Sequence, residues 1–496
     1  MWSYTSLLCL LAVHCAPQSG AGIESSTVRV ESPATAPTLT LDGDLDDWGF
    51  SAQIEDPSGD GSETGLDLGR LWVTDEDGGL FFRLDTGRET VIQRVAAEQA
   101  GADLTLHLDM NASRETGFPL SGMGVDLSVY YGRRMALRYD GERVEWLSMN
   151  DIGSQAMPTH SGTSHEFRLP LNTGGVNVQT DVVRFIVTDG AWGDRLPDAG
   201  YAELKLRHHP PRPVEPVPLE RPDPDHVRVL VHNTLFNGAV ERPAPFRRYL
   251  GALAPDLILF QEVWDWPEAA AESFVGGVLP LHDGGAWSAA KSDDTMVVSR
   301  WPIVERASVA DNVVVLVRLP PARGGDLVLM SVHTPCCDND EGRDRQHQQL
   351  AAAWRDLLAG EGPFVIDPAT PMIMAGDFNM VGLRRQRDVL QEGRFFDDEF
   401  GADFAPARAA GALAAVQFRH NYSRAVYTWR DDAQEYTPGR LDYLFYTPDA
   451  AAVSRAFALW TPDFPVDALA SFLLERDDSL LASDHLVLVT DFDFRR

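Results

Sequence analysis

The chain has 496 residues, enough for two to four domains at roughly 100–200 residues per domain. Its hydrophobic fraction of 44% is ordinary for a globular protein. The formal net charge of −32 argues against sequence-independent binding to duplex nucleic acid, because basic residues drive such binding. It does not exclude a small phosphate substrate, since a bound cation reverses the field locally.

Residues 1–22 are predicted to be an export signal. Leu7 to Val13 is a short apolar core followed by small residues, whereas a membrane span needs about 20 apolar residues. Cys15 leaves a lipoprotein signal open, although His14 before it departs from the usual small residue. The expected location is therefore secreted, periplasmic or lipid-anchored at the cell surface, with no transmembrane helix beyond the signal.

Residues 208–225 carry a proline at nearly every second or third position and are predicted to form a stiff, extended linker. Before it, residues 38–207 contain short β-rich runs separated by Asp-Gly and Gly-Gly turns, a pattern typical of an all-β sandwich. After it, residues 226–496 contain buried strands that alternate with helices, which predicts an α/β layered fold.

The first module carries the motif Leu41 to Trp48 (LDGDLDDW) and later the segment 108–126. Both resemble segments of family 9 carbohydrate-binding-like modules. The resemblance implies that this module binds a cell-surface or extracellular polysaccharide. Trp48 and Trp72 fit either a stacking surface for sugar rings or, as we favour, the core of the sandwich.

Three polar residues of the first module have two interpretations. Asp109, Asn111 and Asp126 fit a Ca²⁺ site, because calcium takes several carboxylate and carbonyl oxygens. They equally fit caps of turns, where Asp and Asn are common.

The second module places a polar residue at the end of nearly every apolar strand, where α/β folds bind ligands. These residues are Asn233, Glu262, His333, Asp377, Asn379, Asp442, Asp484 and His485. Hydrolysis of a phosphate ester requires an activated water, stabilisation of negative charge and a proton for the leaving oxygen. Carboxylate and amide oxygens suit Mg²⁺ or Mn²⁺, and imidazoles transfer protons.

The order of these motifs resembles the endonuclease/exonuclease/phosphatase superfamily, which includes deoxyribonuclease I, exonuclease III and neutral sphingomyelinases. The matching motifs are Asn233, Gln261–Val263, Ser299–Ile303, His333, Gly376–Asn379, Leu441–Tyr443 and Ser483–His485. The resemblance implies a four-layer αββα sandwich. It also implies that Glu262 is the principal Mg²⁺ or Mn²⁺ ligand, with Asn233 beside it and Asp484 as a further contact.

The same resemblance implies the catalytic roles. Asp377 would align or deprotonate the water, and Asn379 would contact the phosphate. Asp442 would orient His485, which handles a proton or the scissile phosphate, and His333 would be the second imidazole.

The motifs predict the reaction but leave the substrate open. Arg384 and Arg385 follow the Gly-Asp-Phe-Asn motif closely and fit either a phosphate-binding pair or a solvated turn. We rank a nuclease-like phosphodiesterase first. The alternatives are a sphingomyelinase-like enzyme, which cleaves a phospholipid headgroup, and a non-catalytic glycan-binding surface protein.

Cys336 and Cys337 are adjacent in the chain. They fit either two buried or free thiols beside a cleft or a vicinal disulfide, since neighbouring cysteines pair with each other only in a strained ring.

Overall fold

A computed structural model describes residues 26–61, 65–141, 143–190, 193–282 and 284–495. The predicted export signal, with Cys15, lies outside these residues. The chain divides into two compact units: one comprises residues up to Arg212 with Asp432–Thr437, and the other comprises Pro213–Asp431 and Pro438–Arg496. No helix in the described ranges combines the length and the apolar character that crossing a membrane requires.

The first unit is built from strands. They are β1 (Thr27–Glu31), β2 (Ile54–Glu55), β3 (Arg70–Glu76), β4 (Gly79–Thr90), β5 (Leu104–Asp109), β6 (Phe118–Leu120), β7 (Met123–Val125), β8 (Leu127–Tyr130), β9 (Met135–Asp140), β10 (Arg143–Ser148), β11 (Gln155–Met157), β12 (Gly162–Pro170), β13 (Asn172–Thr173), β14 (Val176–Asn177), β15 (Val182–Asp189), β16 (Arg195–Leu196) and β17 (Tyr201–Lys205).

Two sheets of this unit pack face to face, which confirms the predicted β-sandwich. One has the order β1-β17-β15-β5-β8-β9-β10, with β16 paired to β15, and the other has the order β11-β12-β4-β3-β2. One apolar cluster takes residues from both, such as Leu106 and Phe185 from the first sheet and Val73 and Phe82 from the second.

Trp48 and Trp72 are only 5% and 6% exposed and pack in a smaller apolar cluster with Phe81. Their indole N–H groups donate to Glu166 and to the carbonyl oxygen of Phe50, at 2.8 and 2.9 Å. Both tryptophans are therefore core residues, as favoured from the sequence.

The second unit alternates strands and helices. Its strands are β18 (Val227–Asn233), β19 (Leu257–Gln261), β20 (Ser288–Ser292), β21 (Thr295–Ser299), β22 (Ile303–Val309), β23 (Asn312–Arg318), β24 (Asp326–His333), β25 (Met372–Asp377), β26 (Ala414–Ala415), β27 (Asp442–Tyr446), β28 (Ala452–Leu459) and β29 (Val487–Asp493). Its helices are α1 (Gly238–Glu241), α2 (Pro243–Leu253), α3 (Glu268–Val278), α4 (Asp340–Ala359), α5 (Arg385–Glu392), α6 (Val466–Phe472) and α7 (Asp478–Ala482).

The strands of the second unit form two six-stranded sheets, each covered by helices on one face. The orders are β20-β21-β19-β18-β29-β28 and β22-β23-β24-β25-β27-β26. Phe246 and Leu250 of α2 pack on Phe260 of the first sheet, and Trp354 of α4 belongs to a cluster with Met330 of the second. The arrangement is the predicted four-layer αββα sandwich.

Side-chain alternation along the strands decides which residues reach the space between the two sheets. In β25, Met372 and Met374 pack in the helix-side cluster, so Ile373, Ala375 and Asp377 face the opposite way. The same parity applies in β24, where Met330 and Val332 face the helices while Ser331 and His333 face inward. Polar residues that end these strands at inward-facing positions therefore point into the space between the two sheets.

The second half of the predicted linker lies along the second unit. Val217 and Asn421 exchange two hydrogen bonds of 2.9 and 2.8 Å. Leu219 is only 2% exposed and belongs to the helix-side cluster of the first sheet. Val217 and Leu219 lie between the prolines, and their apolar side chains explain why this part of the linker packs on the second unit. The exact module bounds stay a prediction.

A buried ion pair ties this segment to the sheet. Arg228 and Asp491 lie on the neighbouring strands β18 and β29 and form two contacts of 2.7 and 2.8 Å. Arg228 also donates to the carbonyl oxygens of Leu219 and Leu253, each at 2.8 Å.

We expect Asp491→Ala to lower the free energy of unfolding by about 3–5 kcal/mol, because it leaves a buried guanidinium without its counter-charge. Scanning calorimetry of the full chain measures this loss. The matched control is Asp326→Ala, which breaks an exposed pair with Arg318 and should cost less than about 1 kcal/mol. Equal losses in the two variants would contradict the importance of the buried pair.

Candidate active site

Strand register places three of the predicted site residues in one row. His333 is the register partner of Asp377 on the parallel pair β24–β25, and Asp377 is the partner of Asp442 on the antiparallel pair β25–β27. All three take inward positions at the same edge of the second sheet. Asn233 ends β18 of the facing sheet, and its side-chain nitrogen lies 3.1 Å from Asp377 Oδ2.

Asp377 Oδ2 is the point on which the site converges. The Nε2 atoms of His333 and His485 lie 3.8 and 3.6 Å from it. The side-chain nitrogen of Asn379 donates to it at 3.1 Å. Two imidazoles and two amides from different strands therefore surround one carboxylate oxygen that is almost fully buried.

Glu262 borders this group on the first sheet. It follows β19, and its carboxylate accepts hydrogen bonds from the side chain of Asn233 at 3.0 Å and from the backbone N–H of Phe236 at 2.9 Å. Its φ of 58° lies in the left-handed region, which is unfavourable for a glutamate and is tolerated mainly at functional positions. The backbone is thus bent so that the carboxylate turns toward Asn233.

Each imidazole has a carboxylate within hydrogen-bond distance of its Nδ1 atom. His485 Nδ1 lies 2.9 Å from Asp442 Oδ2, and His333 Nδ1 lies 2.5 Å from Asp294 Oδ2. A carboxylate at Nδ1 fixes the ring orientation and holds a proton on that nitrogen. The pairs point both Nε2 atoms toward Asp377.

Sequence inspection missed Asp294. It directly precedes β21, which runs antiparallel to β19, so it returns to the edge where Glu262 lies. The available signal was an aspartate between a turn and an apolar strand. That pattern is also typical of a turn cap. The sequence alone therefore did not distinguish a turn-capping aspartate from one that pairs with a histidine of the site.

Both asparagines have hydrogen-bond partners inside the site, and their implied contacts with the metal and the phosphate stay predictions. The side-chain nitrogen of Asn233 donates to Glu262 and Asp377, and its oxygen accepts from the N–H of Leu235 at 3.0 Å. The side-chain nitrogen of Asn379 donates to Asp377 and to the carbonyl oxygen of Thr334. In this arrangement both asparagines hold the carboxylates in place.

The remaining predicted residues of the second unit lie beside the convergence point. The carboxylate of Asp484 accepts from Trp429 Nε1 at 2.9 Å, and in the described chain no contact joins it to Glu262. Arg385 pairs with Asp344 and lies over the ring of Phe396, and Arg384 lies 3.5 Å from Asp388. Both arginines are thus paired with carboxylates, and their binding of phosphate stays a prediction.

The calcium interpretation of the first unit has a competing explanation in the structure. Asp126 accepts from the N–H of Met110 at 2.8 Å and from Asn111 at 3.0 Å. Asp109 accepts from the N–H of Ser113 at 3.2 Å and lies 3.4 Å from Arg184. These contacts are those of turn-capping residues, and calcium binding stays a prediction.

Cys336 and Cys337 are joined by a disulfide in the loop after His333, and both are exposed. The structure thus has the vicinal disulfide and not the two buried or free thiols. Buried Arg343 donates to the carbonyl oxygens of Pro335 and Cys337 at 2.8 and 2.9 Å, which fixes the loop on α4.

Charges in the site shift three pKa values. Burial raises the pKa of Asp377 to about 6, against the opposing effect of His485. Burial lowers the pKa of His485, but the charges of Asp442 and Asp377 outweigh burial and raise it to about 10. For His333, the hydrogen bond with Asp294 and the charge of Asp377 likewise outweigh burial and raise the pKa to about 9.

These shifts predict that the metal-free protein loses stability at alkaline pH. An unfolded histidine has a pKa near 6.5, so the stabilisation from both imidazolium groups is fully present below pH 6.5 and is lost as the pH rises through about 9 and 10. We expect a loss on the order of 6 kcal/mol between pH 7 and 10. Calorimetry in EDTA measures it, with the double variant His333→Gln/His485→Gln as the comparison. A variant as pH-sensitive as the wild type would refute the prediction.

The model of the endonuclease/exonuclease/phosphatase family matches residues 230–485, which is more than half of the chain. The chain belongs to this family. Membership places it among the phosphoester hydrolases, and the matched range contains the whole convergence point from Asn233 to His485. No curated protein matches this chain.

Three solved structures are similar to about half of this chain. A family protein from Leptotrichia buccalis is 14% identical with a TM-score of 0.34, covering 54% of this chain and 100% of that one. An AP endonuclease from Archaeoglobus fulgidus is 14% identical with a TM-score of 0.32, covering 54% and 99%. Sphingomyelinase C from Streptomyces griseocarneus is 17% identical with a TM-score of 0.30, covering 54% and 99%.

Proposed function

We propose that the second unit is a divalent-metal-dependent phosphodiesterase, nuclease-like in its chemistry. The observation that carries this proposal is the convergence of two carboxylate-backed imidazoles on Asp377 Oδ2, beside Glu262. Hydrolysis of a phosphodiester needs a base for water, cations for the phosphate oxygens and an acid for the leaving oxygen. The site contains a residue for each of these tasks.

The donor set fits Mg²⁺ or Mn²⁺. Asp377, Asp442 and His485 offer ligand atoms within 4.8 Å of one another, but the carboxylate of Asp442 is already bound to His485 Nδ1 and to Thr428. We assign the ion to Glu262, with Asn233 beside it and Asp484 as a further contact, because carboxylate and amide oxygens suit a hard cation. When bound, the ion supplies positive charge to the phosphate and lowers the pKa of a bound water.

The chain's own groups divide the remaining work. Asp377 is mostly ionised at neutral pH, because its pKa of about 6 lies lower, and it orients a water for attack. His485 is protonated at Nε2 and carries the positive charge and the proton for the phosphate or the leaving oxygen. His333 supplies a second imidazolium on the other side of Asp377.

Hydrolysis of bis-p-nitrophenyl phosphate by the full chain tests the proposal. We expect turnover with Mg²⁺ or Mn²⁺, no turnover in EDTA and recovery when the metal is returned. Metal-independent turnover, or no turnover of any phosphodiester, would overturn it.

A lipid phosphodiesterase is the second candidate, and a surface feature favours it. Phe236, Trp264 and Leu481 are 66%, 44% and 52% exposed. They lie on the segments that follow Asn233 and Glu262 and precede His485. These segments are hydrogen-bonded together, since Arg242 donates to the carbonyl oxygens of both Leu235 and Ala482. Exposed apolar side chains at the border of a site suit a lipid surface better than a phosphate backbone.

The comparison between supercoiled plasmid and sphingomyelin vesicles separates the two substrates. Plasmid nicking without vesicle hydrolysis supports the nuclease, and the reverse supports the lipid enzyme. For the lipid enzyme, Trp264→Ser should lower vesicle hydrolysis without changing the turnover of bis-p-nitrophenyl phosphate. The matched control is Val365→Ser, at a side chain that is 79% exposed and follows α4.

We also propose that the chain is exported, on the basis of the apolar segment Leu7 to Val13. Cell fractionation should find the protein outside the cytoplasmic compartment, and cytosolic full-length protein would refute this. Binding of the first unit to a polysaccharide stays a prediction.

A further inference from the structure

The segment Tyr427–Arg430 runs between the two parts of the chain that carry Asp442 and His485. On one side, the backbones of Trp429 and Gly439 exchange two hydrogen bonds of 3.0 Å, three residues before Asp442. On the other, Thr428 O accepts from the N–H of Leu486 at 2.7 Å, and the N–H of Arg430 donates to Asp484 O at 2.9 Å. One short segment therefore fixes both parts.

The hydroxyl of Thr428 is fully buried and lies behind Asp442. It donates to Asp442 Oδ2 at 2.6 Å and accepts from the backbone N–H groups of Leu441 and Asp442, each at 3.0 Å. A hydroxyl that receives two N–H groups must direct its own proton to the carboxylate. This bond leaves Asp442 as an acceptor for His485 Nδ1, so the order Thr428–Asp442–His485 fixes the direction of the imidazole.

The next side chain serves a different acid. Trp429 Nε1 donates to Asp484 Oδ2 at 2.9 Å, and an indole N–H can only donate. Asp484 precedes His485 directly, and Ser483 supplies a weaker contact of 3.3 Å to its other oxygen. The indole therefore sets the direction of the Asp484 carboxylate.

We propose that Thr428 and Trp429 are positioning residues that align the Asp442–His485 pair and Asp484, respectively. The two adjacent side chains reach two different acids, since Thr428 donates to Asp442 and Trp429 donates to Asp484. The proposal rests on the proposed phosphodiesterase function, and it adds two residues to which the motif comparison gave no role.

Thr428→Val tests the first half, because valine keeps the shape and removes the hydroxyl. We expect kcat for bis-p-nitrophenyl phosphate to fall about 10–100-fold with KM nearly unchanged, as for other partners behind a functional histidine. Thr428→Ser restores the hydroxyl and should recover most of kcat. Thr428→Ala, which leaves room for water at the two N–H groups, replaces the valine variant if that one does not fold.

The matched control is Thr490→Val. Thr490 is equally buried on β29, but its hydroxyl has no hydrogen-bond partner within the described residues. The kcat of the Thr490→Val variant should stay within about twofold of the wild type. Equal activity of the Thr428→Val and Thr428→Ser variants would overturn this half.

Trp429→Phe tests the second half, because phenylalanine keeps an aromatic ring without the N–H. Titration of Mn²⁺ alone, followed by the electron paramagnetic resonance signal of the free ion, should show a Kd at least about tenfold weaker than in the wild type. Trp301→Phe is the control, since Trp301 follows β21 at the opposite end of the sheet from Glu262. Unchanged Mn²⁺ affinity in Trp429→Phe would overturn this half.

The outcomes separate this proposal from the proposed function. If the wild type turns over no phosphodiester, the function fails, whereas the Mn²⁺ titration still decides the role of Trp429. In protein labelled with [¹⁵N]histidine, the His485 Nδ1–H signal, identified by its loss in His485→Gln, should move in Thr428→Val and not in Thr490→Val. An unmoved signal would refute the alignment by Thr428 even in an inactive protein.

Discussion

Glu262→Gln is expected to lower metal-dependent hydrolysis of bis-p-nitrophenyl phosphate by at least about a thousandfold, or ~4 kcal/mol. The substitution keeps the shape of the side chain and removes its charge. It also places an NH₂ group where Glu262 accepts from two donors, the side chain of Asn233 and the backbone N–H of Phe236. Glutamine can accept only one of these bonds through its oxygen. Its side chain would therefore shift and would bind the metal more weakly than the carboxylate of Glu262.

Steady-state rates at saturating Mn²⁺, with circular dichroism to confirm folding, measure this effect. The matched control is Glu305→Gln on β22, which removes one negative charge from an exposed position and should leave kcat within about twofold. A Glu262→Gln variant with more than a tenth of the wild-type rate would remove Glu262 from the metal site.

His485→Gln is expected to lower kcat about 10²–10⁴-fold, the range for loss of a general acid or base. Glutamine is neutral and cannot transfer a proton, whereas His485 has its pKa raised to about 10 and is protonated at neutral pH. The variant also removes the imidazolium that balances the charge of the buried Asp442 carboxylate.

Rates at pH 7 with saturating substrate measure the loss. The exposed His282, in the turn after α3, provides the control variant His282→Gln, which should behave as the wild type. If His485→Gln keeps its rate within fivefold, the proton is handled elsewhere, and His333 becomes the leading alternative.

The sequence predicted the second unit well because its signals are local and repeated. Apolar strands with a polar last residue predict both the sheets and the edge at which ligands bind. The alternation of Met372, Met374 and the residues between them is enough to direct Asp377 inward. The sandwich of the first unit was likewise predicted from short strands and turns.

What the sequence did not predict depends on contacts between distant segments. Asp294 pairs with His333 across 39 positions, and Thr428 pairs with Asp442 across 14, with no spacing rule that marks either pair. Whether the side chain of Asn233 donates to two carboxylates depends on where its amide hydrogens point. Residue type alone does not encode such directions.

The row of His333, Asp377 and Asp442 is set by the hydrogen-bond ladder of three neighbouring strands. Lengthening or shortening the loops between these strands leaves the ladder unchanged. Insertion of one residue inside β25 would instead turn Asp377 toward the helices, because every side chain beyond it would change face. The row is thus encoded in the strands, while evolution is free to reshape the connecting loops for a different ligand.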